Sequence, residues 1–140
     1  MKLHFSGHDC RYVIEQGLLS LFPEERPTYG TIDPEADRRW AEVSLRGDNA
    51  HCCAETRLGW DGKTVTETVE AALSGTDYER EGQRRRALGR SFFEAYRSLT
   101  GVTPPWGSLT GVRPGKLAAE RLRRGESLAG AQRFLEESYF

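Results

Sequence analysis

Four groups of residues in this 140-residue chain have types and spacings that bear on chemistry. Ser6-Gly7-His8-Asp9 follows a short apolar segment and precedes a helical pattern. A helix N-terminus offers free N–H groups to an anion, but one glycine falls short of a phosphate-binding loop, and neither GxxxxGK[ST] nor GxGxxG occurs. The plainer reading makes Ser6 the N-cap, with Asp9 three residues on as a capping-box variant. The three histidines, His4, His8 and His51, and the three cysteines, Cys10, Cys52 and Cys53, show no zinc-ligand spacing and no CxxC. Cys52 and Cys53 are neighbours that a strand sends to opposite faces, so packed thiols are expected rather than a redox pair. No catalytic, cofactor-binding or metal residue is assigned in this chain. The third group is basic: Arg84-Arg85-Arg86, then Arg90 and Arg97. The fourth is Pro105 to Pro114, in which Gly107 and Gly111 permit positive φ, Pro105 and Pro114 fix φ, Trp106 can pin the loop, and Arg113 stands next to a helix start.

These groups need elements to hold them. Lys2 to Ser6 reads as a strand. Cys10, Val13, Ile14, Gly17, Leu18 and Leu21 recur at helical spacing, and Pro23 and Pro27 end that helix. Pro23 to Asp37 reads as a loop. Trp40–Arg46 alternates, with Ala41, Val43 and Leu45 on one face. Ala50–Leu58 and Thr64–Leu73 follow, joined by Trp60-Asp61-Gly62-Lys63 with Asp-Gly hairpin chemistry. On the third of these strands Val65 and Val69 share a face with Glu67. The short connections make the meander antiparallel. From Arg80 to Thr100, Leu88, Phe92, Ala95, Tyr96 and Leu99 form a helical stripe that Gly101 ends. Arg86, Arg90 and Arg97 lie opposite, with Phe93 among them as an exposed aromatic suited to anchor an interface. Two further helices are expected, Gly115–Arg124 and one from about Ser127 carrying Leu128, Ala131, Leu135 and Tyr139. The fold class is therefore α+β: strand and helix, an antiparallel three-strand meander that the first strand joins in one four-stranded sheet, then three C-terminal helices.

Charged residues are 29% of the chain and apolar residues 37%, a mixture that suits a globular domain. No apolar run approaches the roughly 20 residues a bilayer span needs, and no signal segment opens the chain, so a cytoplasmic address without membrane contact is expected. The net charge of −1 hides an asymmetry: residues 1–79 carry −7 and residues 80–140 carry +6. One domain is expected, with an acidic strand-rich part (1–79) and a basic helical part (80–140). The final helical stripe still runs at Tyr139-Phe140, which leads us to expect a longer parent polypeptide.

The segment Pro105–Lys116, PWGSLTGVRPGK, resembles the "PWG-LTG-RP-K" signature of radical SAM proteins of the oxygen-independent coproporphyrinogen dehydrogenase family, in its HemZ-like branch. The resemblance extends over residues 84–140, through the Arg86-Ala87-Leu88 helix opening and Phe134-Leu135-Glu136-Glu137-Ser138-Tyr139, and is architectural over residues 1–80. It implies a non-catalytic N-terminal accessory domain of a haem-biosynthetic oxidoreductase. In that family a CxxxCxxC motif in a later barrel domain holds a 4Fe–4S cluster, which binds S-adenosylmethionine. This chain has no CxxxCxxC, so the cluster and cofactor are expected in the parent only. The partner so implied is the catalytic barrel of the same polypeptide. Trp106, Gly107, Gly111, Arg113, Pro114 and Lys116 would lie beside that barrel or its substrate carboxylates, and Arg86, Arg90, Phe93 and Arg97 would form a docking face. The alternatives from the residues alone are a small RNA-binding module and a stand-alone interaction domain, both using the Arg-rich helix face.

Overall fold

Three β-rich segments with two tight turns make the centre of the sheet. In the computed structural model, which describes residues 1–104, 122–125, 127–130, 132 and 133, β3 (Arg39–Gly47), β4 (His51–Trp60) and β5 (Lys63–Ala72) form the antiparallel meander. The β4–β5 turn works as its Asp-Gly pair predicts. Asp61 and Gly62 both take positive φ, 47° and 90°, the pattern of a two-residue hairpin whose twist matches the strands. β1 (Lys2–Ser6) does join this sheet, alongside β3, but parallel to it. A fifth strand, β2 (Thr28–Tyr29), pairs parallel with the other side of β1. The sheet is thus mixed, five-stranded and ordered β2-β1-β3-β4-β5, not the four strands expected. The Pro23–Asp37 loop conceals the extra strand.

The first helix, α1 (Arg11–Leu21), buries Ile14, Gly17, Leu18 and Leu21, the stripe its spacing predicts. Its start differs from expectation. Cys10 is the N-cap position and no side chain caps there. Ser6 is instead the last residue of β1, and Gly7 turns the chain at φ 78°. The second helix, α2 (Asp77–Thr100), starts three residues earlier than expected. Thr76 and Glu79 form a reciprocal capping box, and Gly101 ends the helix in the left-handed conformation at φ 72°. Lys63 Nζ donates to the Leu99 carbonyl at 3.0 Å, so the hairpin end of β5 ties down the last turn of α2.

Strand alternation puts Ala41, Val43, Ala54 and Leu58 on one sheet face. There they join Ile14, Leu18 and Leu21 of α1 and Leu88, Phe92 and Ala95 of α2 in a single core cluster. Small residues let the elements approach: a Cβ on Gly17 would stand 3.1 Å from the Phe92 ring, and one on Gly89 the same distance from Val13. Cys52 belongs to this core. Its neighbour Cys53 is buried outside that cluster, which agrees with opposite-face placement. On the other sheet face Trp40 lies over Gly59, where a Cβ would come within 2.2 Å of the indole.

The chain divides into two compact units, Met1–Val102 and Thr103–Phe140. The elements above all belong to the first. In the second, residues 122–123, 128–130 and 132–133 are helical. The remainder of the two helices expected after Gly115 lies outside the described residues.

Candidate functional site

On α2 the residues Arg86, Arg90, Phe93 and Arg97 follow one another at spacings of three and four, which places them on one stripe. The structure keeps that stripe but changes its meaning. Glu94 lies between two of the arginines: Arg90 Nη2 meets Glu94 Oε1 at 2.9 Å, and Arg97 Nη1 meets Glu94 Oε2 at 3.2 Å. Both guanidinium groups stand over the Phe93 ring, 5.6 and 5.9 Å from its centroid. Phe93 is 2% exposed and counts in the core. It is therefore not the exposed interface anchor that its place among arginines suggests. Long side chains cover apolar surface with their stems while their heads pair, and here one carboxylate gathers two of them. Arg86 remains exposed and makes no hydrogen bond or ion pair among the described residues. Arg90 Nη1 is enclosed and has no hydrogen-bond partner. Chemically the stripe offers one free guanidinium, one unsatisfied donor and an ion triad of two cations about one carboxylate. A track of free cations for a phosphate backbone is not what this arrangement presents.

A second site lies at the Ser6–Asp9 turn, where the sequence offers only a helix start. β1 and β3 are parallel neighbours, and the chain leaves β1 towards β2 before returning to β3. Clefts form at such reversals, beyond the carboxyl ends of the strands. Here a cleft of about 360 Å³ is lined by Gly7–Cys10, Leu45–Asn49, Glu81 and Arg84. Its polar groups are nearly all committed. His8 Nε2 donates to the Val43 carbonyl and His8 Nδ1 accepts from the Cys10 N–H, both at 3.0 Å, which fixes a neutral tautomer. Asp48 Oδ1 accepts from the Ala50 and His51 N–H groups, at 2.8 and 3.0 Å, and these bonds hold its carboxyl below the ordinary range. Arg84 bonds Glu81 at 3.0 Å and reaches the Asp48 carbonyl at 3.4 Å. Burial, reinforced by Glu81 and Asp9, pushes the Cys10 thiol up, away from nucleophilic thiolate. The Ser6–Asp9 stretch is thus structural without capping α1: Ser6 ends β1, the His8 ring accepts the Cys10 N–H, and Gly7 is required at the turn. A Cβ there would lie 2.0 Å from the Leu45 carbonyl oxygen. The signal for this cleft is the parallel pairing of β1 with β3, which no local pattern announces.

No group of three or more His, Cys, Asp or Glu side chains among the described residues is placed to hold a metal ion. No described helix is long and apolar enough to cross a membrane. The signature residues Trp106, Gly107, Gly111, Arg113, Pro114 and Lys116 lie outside the described residues.

No family model matches the chain. A solved structure of an uncharacterized protein is similar to it at 15% identity and a TM-score of 0.44, over 65% of this chain and 64% of the other. The chain is 28% identical, over 142 aligned residues and 99% of its own length, to the oxygen-independent coproporphyrinogen-III oxidase-like protein HemZ of Bacillus subtilis (strain 168), and it spans only 28% of that protein's length.

Proposed function

We propose that this chain is a non-catalytic, N-terminal accessory domain of a longer radical SAM protein of the coproporphyrinogen dehydrogenase type, and that it supports the catalytic barrel of the same polypeptide. The observation that carries this reading is the asymmetry of the HemZ match, which takes in nearly all of this chain and little more than a quarter of the relative. The PWGSLTGVRPGK segment supports it independently. In this reading the 4Fe–4S cluster and S-adenosylmethionine belong to the remainder of the polypeptide, on a CxxxCxxC that this chain lacks. Arg86 is the cation free to meet the barrel, and Arg90 contributes its unsatisfied donor. Arg113 and Lys116 are proposed to serve at the barrel or at substrate carboxylates, for which a guanidinium offers bidentate geometry.

The test uses the full-length protein and the 140-residue chain side by side. After anaerobic reconstitution with iron and sulfide, the full-length protein should show cluster absorption and cleave S-adenosylmethionine, and the chain alone should do neither. Arg86→Glu in the full-length protein should weaken association between the accessory and catalytic parts, read by limited proteolysis at their junction. A chain that assembles its own S-adenosylmethionine-cleaving cluster would refute the reading, as would a gene with no CxxxCxxC beyond Phe140.

A further inference from the structure

Among the described residues β5 is the last strand of the sheet, with β4 on one side and no strand on the other. The direction of its backbone groups follows from one bond. The Leu73 N–H donates to the Ala50 carbonyl at 2.8 Å, so Leu73 points its backbone towards the β4 side. Bonding direction alternates along a strand, so Val65, Glu67, Val69 and Ala71 turn their N–H and C=O groups inward. Thr64, Thr66, Thr68, Glu70 and Ala72 then turn theirs outward, along the open edge. All five of these residues are exposed, and none of the ten residues of β5 is buried.

Such a row of open groups is a template for another strand, and the side chains along it select which. Glu67 lies on the helix-facing side, bonded by the Ser98 hydroxyl. Glu70 lies on the opposite face, and Glu55 stands beside Thr68 in the β4–β5 register. Arg57, the nearby cation of β4, is occupied by Glu42 at 2.9 Å. The face of the edge opposite the helices is therefore acidic, while on the helix-facing side Glu67 shares the strand with Lys63. In an antiparallel pairing centred on Glu67, a second copy would set Glu67 against Glu67, and like charges directly opposite destabilise a pair. A strand with Lys or Arg at those positions meets no such opposition.

We propose that the open edge of β5 takes up an extended basic peptide segment as a sixth strand, and that Glu67 and Glu70 select it against self-pairing. This inference stands apart from the accessory-domain reading.

The probe is a fluorescent synthetic peptide of residues 63–72 carrying Glu67→Lys and Glu70→Lys, titrated with the 140-residue chain and read by anisotropy. It should bind, and the unsubstituted peptide should bind about tenfold more weakly or worse. Thr68→Pro removes one outward N–H and no bond to β4, a substitution an edge strand tolerates. It should abolish binding while the circular dichroism spectrum is retained. Should Thr68→Pro fail to fold, the same Lys-bearing peptide N-methylated at alternate amides removes the bond from the ligand side and should not bind. The proposal is overturned if the Lys-bearing peptide binds no tighter than about 1 mM, if the two peptides bind equally, if neither block affects binding, or if the chain itself dimerises through a contact that Thr68→Pro removes.

Discussion

Replacing Ser91 by Ala tests the reasoning about the core most directly. Thr56 of β4 and Ser91 of α2 are both fully buried, with their hydroxyl oxygens 2.8 Å apart. Ser91 also donates to the Leu88 carbonyl at 2.8 Å. A serine has one hydroxyl proton, so Thr56 must be the donor in the bond between them, and the chain runs Thr56 to Ser91 to Leu88. The two single truncations are then unequal. Ser91→Ala strands the Thr56 hydroxyl without a partner, and a buried unsatisfied polar group costs about 1–3 kcal/mol. Thr56→Val keeps the shape and leaves Ser91 its bond to Leu88, so its cost should stay under about 1 kcal/mol. In the double variant no hydroxyl is stranded, and its destabilisation should be smaller than the sum of the singles. Urea denaturation followed by tryptophan fluorescence gives all three values. For a folding unit of this size, each kcal/mol corresponds to about 4–8 °C in melting temperature. Equal singles with an additive double would refute both the donor assignment and the claim that this bridge is isolated from water.

Four further outcomes are expected. Gly59→Ala should destabilise by about 1–3 kcal/mol, because its methyl would meet the Trp40 indole at 2.2 Å. Gly82→Ala in α2 should instead stabilise by about 0.5–1 kcal/mol, since only the end of Arg85 lies within 4 Å of the added carbon; thermal melts of both variants decide. Asp48 is more acidic folded than its ordinary value of 3.8 because it accepts two backbone N–H bonds. Its contribution is thus complete above about pH 4 and is lost as pH falls through the lowered folded value; urea midpoints of Asp48→Ala should fall less on acidification than those of the parent chain. Burial raises the Cys10 and Cys52 thiols, Cys10 with help from Glu81. Iodoacetamide should therefore label both slowly until urea is added, and Glu81→Gln should speed labelling at Cys10 and not at Cys52, as mass spectrometry of the digested chain will show.

Local patterns made the meander legible. Ala41, Val43 and Leu45 alternate, Asp61-Gly62 dictates its turn, and the stripes of α1 and α2 repeat at helical spacing. The capping box of α2 is equally local, Thr76 followed three residues later by Glu79, and it starts the helix before the apolar stripe does. The parallel contacts were not legible. β1 pairs with a strand far along the chain, and β2 is two residues inside a stretch of prolines and acids, so neither carries a period of its own. Phe93 shows a different limit. Helical phase put it correctly on the arginine stripe, but phase does not reveal that Glu94 would gather Arg90 and Arg97 over its ring. The cleft beside Gly7 and Asp48 was hidden for the same reason as the parallel pairing of β1, since it exists only once distant strands are neighbours.

The placement of β1 also sets an order of events during folding. Its register with β3 joins Leu3 to Ala41, whereas the two meander pairings close through tight turns at residues 48–50 and 61–62. Short loops close first, because the entropy of bringing segments together grows with their separation. β1, which precedes β3 in the chain, is thus positioned to be incorporated after it, yet it sits in the sheet interior, between β2 and β3. In refolding monitored by pulsed hydrogen exchange, the amides of β3 and β4 should gain protection before those of Leu3 and Phe5. During synthesis β1 therefore has only the two-residue β2 to pair with until β3, its longer neighbour, has been made.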